Sequence, residues 1–448
     1  MEPALLYAVP VWYEAVYNIH VRRQLLSIQR RFAIQICRSY RTAPTSALLV
    51  LAGITPIHIQ AKTIAWYWFA SRGQFPWLNN IKNYNQANDR ITKSMANITT
   101  NIQKFGLDGT NQNKVDSNHP HKVNEYTVSM DQEENQTTAA WNIYTDGSRR
   151  DEGTGAGVVI MDNNNKTHYQ AYYKMAAHCT NVQAELWALL KAIHHIKDNY
   201  HKYKGNIRIH TDSRTALNIL KHNRRYIGLS ADLIAEANNL GKNRKLYFNW
   251  IQAHKGHAGN ELADKLAKKA CTLNKNPSYG KLPHTWVKKQ LASIALTDWQ
   301  NEWDHADTGR KTYTYIPSIT QRFKANHYTP EAETTQILTG HGNFAAYLHR
   351  FGKTNNNICD CDNTSEATEE HFLYNCPKHD NERLQFMGKC LTEGQNWPPN
   401  PPDVFNNRKL WKSLTEFVHK TKTLNASGFS SRATNNILSH SLTRPPMD

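Results

Sequence analysis

The sequence has no long apolar run. Its longest, Ala47 to Ile54, falls far short of the roughly twenty residues that a membrane-spanning helix needs, so no span and no membrane partner are expected. Met1-Glu2-Pro3 opens without a basic region, an apolar stretch and a small-residue cleavage site, so a secretory leader is not expected. Cysteine is sparse: seven, at scattered positions, make no disulfide framework and fit a reducing compartment, cytoplasm or nucleus. No repeat period is visible. Acidic residues are also short, 37 against 54 Lys and Arg, and the formal charge of +17 points to a polyanionic partner, nucleic acid before membrane.

What is present is enough Leu, Ile, Trp, Tyr and Phe for real cores, and 448 residues leave room for two to four domains. Residues 1–76 are apolar and basic. Leu25, Ile28, Phe32, Ile36 and Tyr40 form a helical stripe, with Arg22, Arg23, Arg30, Arg31, Arg38 and Arg41 around it. A second helix from about Thr45 is stopped near Gly53. Residues 77–138 are rich in Asn and in turns such as Asp108-Gly109, and read as a partly disordered linker. Residues 139–275 alternate strand and helix patterns in the order β-β-β-α-β-α-(α)-β-α, which predicts an α/β fold with a mixed sheet covered by helices. Residues 276–430 suggest a helical module around Trp286, Trp299, Trp303, Tyr313 and Tyr315, and 431–448 read as a disordered tail.

Four acids stand out. Asp146 ends the first predicted strand and Asp212 a later one, while Glu185 and Asp264 border the apolar faces of two helices. If the two strands are parallel neighbours, Asp146 and Asp212 emerge together at their carboxyl ends, where ligand sites form in such sheets. Clustered carboxylates stay ionised only with cations between them, and oxygen-only ligands select Mg²⁺ or Mn²⁺. Two such ions form a clamp for in-line displacement at phosphorus. The same stretch carries 21 Lys and Arg against 11 Asp and Glu, a surface suited to a phosphodiester. Taken singly, Asp146-Gly147 reads as a turn, Asp212-Ser213 as a helix cap, and Glu185 and Asp264 as solvated helix residues; the joint arrangement is what argues for a site. Gly153, Gly155 and Gly157 read as a strand-edge turn that lets backbone approach a substrate, not as a phosphate loop.

Tyr144-Thr145-Asp146-Gly147-Ser148, the helical Glu185, Thr211-Asp212-Ser213 and Ala253 to Asp264, in that order and spacing, resemble the ribonuclease H type 1 family. The resemblance implies a five-stranded mixed sheet and Mg²⁺-dependent hydrolysis of the RNA strand of RNA–DNA hybrids, leaving 3′-hydroxyl and 5′-phosphate ends. It implies that Asp146, Glu185, Asp212 and Asp264 bind two Mg²⁺ (or Mn²⁺) ions and that His254 assists proton transfer or product release. Ala253 stands where the family often has glycine, and His257 reads as a loop residue. Gly147, Ser148, Thr180, Asn181 and Arg214 fall where the family contacts the hybrid. The alternatives are a catalytically inactive, nucleic-acid-binding remnant and a related nuclease of the same fold acting on DNA.

Pro10-Val11-Trp12 through Leu51-Ala52-Gly53-Ile54-Thr55-Pro56 resembles the segment after the polymerase core in non-LTR retrotransposon reverse transcriptases, whose polyproteins often continue into a ribonuclease H domain and a Cys/His-bearing tail. No Tyr or Phe followed at two residues by Asp-Asp occurs, so a fragment without polymerisation activity is expected. Cys359, Cys361, His371 and Cys376 are candidate ligands of a zinc knuckle-like site, although the Cys-x-Cys pair departs from the knuckle spacing.

Overall fold

Alternating apolar residues over Ile207–Thr211 and Leu246–Trp250 make two adjacent parallel strands of one sheet. In the computed structural model, which describes residues 2–77, 89–109, 124–131, 139–222, 227–253 and 255–424, that sheet has six strands. They are β1 (Thr127–Ser129), β2 (Trp141–Arg150), β3 (Gly153–Asp162), β4 (Thr167–Met175), β5 (Ile207–Thr211) and β6 (Leu246–Trp250), in the spatial order β1-β6-β5-β2-β3-β4. β2, β3 and β4 form an antiparallel meander, while β1, β6, β5 and β2 run parallel. The expected mixed sheet is therefore present, with one strand more than the five expected.

The extra strand comes from the stretch read as a linker. Thr127–Ser129 pairs with β6, and Tyr126 packs edge-on against Phe248 at 5.2 Å. Helix α1 (Asp89–Phe105) belongs to the same stretch and buries Ile91, Met95, Ile98 and Ile102, one stripe at three- and four-residue spacing. Asp108, expected in a surface turn, is an anchor: Oδ1 accepts the Leu229 N–H at 2.7 Å and Oδ2 accepts Gln183 Nε2–H at 2.8 Å. The Asn-rich composition hid both elements because a single narrow stripe carries their burial. The remainder of 77–138, like the tail at 431–448, falls mostly outside the described residues.

Helices α2 (Asn181–Asp198), α3 (Arg214–Lys221), α4 (Leu229–Gly241) and α5 (Ala258–Cys271) complete this region. The main core lies among α2, α3, α4 and the sheet, around Ile143, Val158, Leu189, Ile193, Ile209 and Phe248. A smaller cluster of Val159, Met161, Ala263 and Leu266 lies where α5 meets β3.

The chain divides into two units, 63–294 with the sheet, and 1–62 together with 295–448. The flanking regions read as separate modules thus contribute to one unit. Its core joins Leu48, Leu49 and Leu51 of helix Thr45–Ala52 to Trp299, Trp303, Phe386, Phe405 and Phe417. Gly53 ends that helix at φ +67°, as expected of a glycine stop. Among the described residues no single helix is long and apolar enough to cross a membrane; the pair Thr45–Ala52 and Ile57–Ala70, bent by 61°, passes by length and composition only.

Candidate active site and Cys/His cluster

Register brings the first two acids together. β2 pairs with β5 from Trp141 to Tyr144, with Tyr144 opposite His210. Two residues further along the chain from this pair come Asp146, still within β2, and Asp212, just past the end of β5. Asp146 does not end its strand, because β2 runs on to Arg150 against β3 with Asp146 opposite Gly157. Trp250 Nε1–H donates to the Asp212 carbonyl at 3.1 Å, and Ser213 accepts the Ala216 N–H at 3.3 Å, capping α3.

Two glycines admit the helices that carry the other acids. A Cβ at Gly147 would lie 2.5 Å from the backbone nitrogen of Glu185, so β2 touches the first turns of α2. A Cβ at Gly157 would lie 2.2 Å from the Ala263 carbonyl oxygen, so α5 lies directly on β3 and delivers Asp264. Gly153, Gly155 and Gly157 belong to β3 itself, and their close approach is to other parts of the chain, α5 foremost, which corrects the reading of a turn facing a substrate.

One carboxylate oxygen each from Asp146, Glu185 and Asp212 lie within 4.8 Å of one another. Asp146 is 6 % exposed and Glu185 4 %. Burial pushes the Asp146 carboxyl up to about 8, reinforced by the charges of Asp212 and Asp264 and by a hydrogen bond with Asp264, against a backbone N–H from Gly147. Burial, then Asp146 and Asp212, holds Glu185 well above the carboxylate range. Glu185 Oε2 is buried with no hydrogen-bond partner among the described residues. Asp264 pairs with Lys268 at 2.5 Å one turn along α5. Mutually repelling buried oxygens, one of them orphaned and none replaced by nitrogen or sulfur, fit a hard divalent cation.

The other expected site residues fall around this cluster. Gly147 and Ser148 continue β2 past Asp146. Thr180 caps α2 in a capping box with Gln183, so its hydroxyl is engaged, and Asn181 is exposed at the same helix start. Arg214 places its guanidinium 4.1 Å from the Trp250 ring centroid. His254 lies outside the described residues, and His257 is an exposed N-cap without a side-chain cap bond. Sequence reasoning missed Trp250, whose alternation with Leu246 and Phe248 signals only a strand; its ring links Asp212 to Arg214.

In the other unit, Cys359, Cys361, His371 and Cys376 bring their ligand atoms within 4.8 Å of one another. Cys359 Sγ and Cys376 Sγ are 3.8 Å apart, and Cys361 Sγ is 3.2 Å from His371 Nε2. Buried Arg383 donates to the carbonyls of Phe372, Leu373 and Cys376, fixing the turn that bears two of the ligands. All seven cysteines are free thiols.

The family model described as RNase H matches residues 138–272. The ribonuclease H of Orientia tsutsugamushi (strain Boryong) is 30 % identical over 138 residues, which cover 28 % of this chain and 78 % of that protein. Residues 138–272 belong to the ribonuclease H family. A 115 kDa protein in the type-1 retrotransposable element R1DM of Drosophila melanogaster is 32 % identical over 112 residues, 25 % of this chain and 11 % of that protein. Such matches bear out the sequence reading of a ribonuclease H domain from a non-LTR retrotransposon polyprotein. The match covers 11 % of a second R1 protein, from Bradysia coprophila, and 48 % of one from Popillia japonica, so this chain spans less than half of each. A solved structure, RNase H1 from the halophilic archaeon Halobacterium salinarum NRC-1, is 22 % identical, with a TM-score of 0.25, over 29 % of this chain and 96 % of that one.

Proposed function

We propose that the ribonuclease H domain is a divalent-metal-dependent endonuclease that cleaves the RNA strand of RNA–DNA hybrids. The observation that carries this reading is the convergence of Asp146, Glu185 and Asp212 within 4.8 Å, with Asp264 in hydrogen-bond reach of Asp146. These four side chains hold two Mg²⁺ or Mn²⁺ ions. Bound there, the ions supply charge stabilisation to the attacking and leaving oxygens of an in-line displacement at phosphorus.

The chain's own residues supply the rest. The β2–β5 register fixes the spacing of Asp146 and Asp212, and the Trp250 indole N–H fixes the Asp212 backbone. The Arg214 guanidinium, held on the Trp250 face, meets a substrate phosphate. Gly147, Ser148, Thr180 and Asn181 contact the hybrid near the α2 N-terminus, where backbone and side-chain donors meet 2′-hydroxyls and phosphates. His254, four residues before α5 in the sequence, moves a proton or assists product release.

A labelled RNA–DNA hybrid with Mg²⁺, run beside single-stranded RNA and duplex DNA, tests this reading. The expected result is cleavage of the hybrid alone, with 3′-hydroxyl and 5′-phosphate ends. Hybrid binding without cleavage would point to the inactive remnant, and cleavage of duplex DNA to the related nuclease.

The second cluster is a zinc site in this reading. Tetrahedral zinc with Zn–S bonds of about 2.3 Å sets its sulfurs about 3.8 Å apart, and the Cys359–Cys376 separation is 3.8 Å. Metal analysis of the purified chain should find zinc, and Cys376→Ser should remove it.

A further inference from the structure

The ribonuclease H domain leaves the charge of the other unit unexplained. Between Glu14 and Asp89 the sequence contains no acidic residue at all. Helix Ile19–Cys37 ends at Arg38, which takes the left-handed conformation at φ 49° and turns the chain, leaving Arg38 and Arg41 exposed. Arg30 donates to Thr45 Oγ1 at 2.8 Å and to the Arg41 carbonyl, which fixes this turn.

A distant segment of the same unit meets the turn. Thr42 Oγ1 is hydrogen-bonded to the Tyr347 hydroxyl and lies 3.2 Å from His341 Nδ1. The His341 and Tyr347 rings are 4.9 Å apart, the Tyr347 and Phe351 rings 5.1 Å, and Tyr40 meets Tyr347 edge-on at 6.0 Å. Phe351 is 49 % exposed and is flanked by exposed Arg350 and Lys353. His341 is held below the ordinary histidine range by burial, then by Arg350 and, more weakly, Arg30, so cations from both segments converge on it. The opposing acid, Glu369, is engaged by Lys311 at 2.8 Å. Among the described residues no carboxylate pairs with Arg38, Arg41, Arg350 or Lys353.

We propose that this surface binds single-stranded nucleic acid, with an unpaired base stacking on Phe351 and phosphates on Arg38, Arg41 and Arg350. An exposed aromatic among cations is the combination that holds a single strand without reading its sequence. A bare cationic patch suits any polyanion, whereas an exposed ring gains from bases that are not already paired. The surface belongs to the other unit, and the proposal does not rest on the reading given to the carboxylate site.

The test is fluorescence anisotropy of a labelled RNA of about 12 nucleotides, titrated with the full chain without added divalent ion, so that cleavage plays no part. Arg38→Gln/Arg350→Gln should weaken binding about tenfold or more and reduce the salt slope by about 1.4. Phe351→Ala should weaken it roughly fivefold or more, and Arg38→Lys/Arg350→Lys should retain most of it. Unchanged affinity and salt slope in the Gln pair would overturn the proposal, as would equal affinity for the same sequence as a duplex. Photo-crosslinking of thiouridine-labelled RNA to the unaltered chain gives a readout free of folding effects. Crosslinks within 38–45 or 341–353 are expected, and crosslinks confined to 139–275 would overturn the proposal.

Discussion

The two ligand clusters of this chain are built in opposite ways. The carboxylate site gathers Asp146, Glu185, Asp212 and Asp264 from four separate elements, each delivered by sheet register or close helix packing. The Cys/His cluster draws all four ligands from residues 359–376, one short stretch with little regular structure. In the first the fold makes the site, so the proposed metal would add chemistry to a frame already held by a core. In the second, the ligands themselves close the loop, so a metal there adds stability. Oxygen donors in one and sulfur and imidazole donors in the other would suit a hard and a softer cation respectively.

The largest effect that would break this comparison is on stability. Stripping zinc, or Cys376→Ser, should cost the unit of residues 1–62 and 295–448 much of its stability, up to about 10 kcal/mol for complete loss. The ribonuclease H domain should keep its own transition in calorimetry; simultaneous loss of both would mean that the clusters are not separable. Next, Asp146→Asn should slow hybrid cleavage by roughly 10³-fold, about 4 kcal/mol in the barrier, while thermal melting shows the fold intact. A smaller effect tests the frame. Gly157→Ala drives a methyl against the Ala263 carbonyl and should cost about 2–3 kcal/mol, seen as a fall in Tm of about 5–10 °C.

The pH dependence of the metal-free domain sharpens the same contrast. Asp146 titrates near 8 in the folded chain, above its ordinary value of about 4. The folded state therefore binds the extra proton, and the stability this brings is present below about pH 4 and lost as pH rises through about 8. Tm measured after chelation should fall between pH 5 and 8, and Mg²⁺ should flatten the fall. Smallest of all, Lys268→Ala frees Asp264 from a half-exposed ion pair and should tighten divalent binding no more than about threefold.

Much of this was legible in the sequence, for reasons that particular residues make clear. Ile207–Thr211 and Leu246–Trp250 are the strands that local pattern marks best, because apolar residues alternate through both. The acids stood out in the sequence because two close alternating apolar stretches and two border apolar helix faces. What escaped depends on tertiary partners. Asp146 sits within β2 because the meander with β3 extends past the β5 pairing, which no local pattern records. β1 is three residues long and is a strand only because β6 offers an edge. Asp108 looked like a turn residue, and its role in holding Gln183 and Leu229 follows from packing that brings distant segments together. The β3 glycines announced a close approach but not to what.

The most direct measurement is calorimetric titration of the purified chain with Mn²⁺ at pH 7, in buffers of different ionisation heat. If the carboxylates form a divalent-ion site, Mn²⁺ binds with release of a proton from the Asp146 carboxyl, and both the binding and the release are lost in Glu185→Gln. Binding that is absent at millimolar Mn²⁺, or unchanged in Glu185→Gln, would contradict the account.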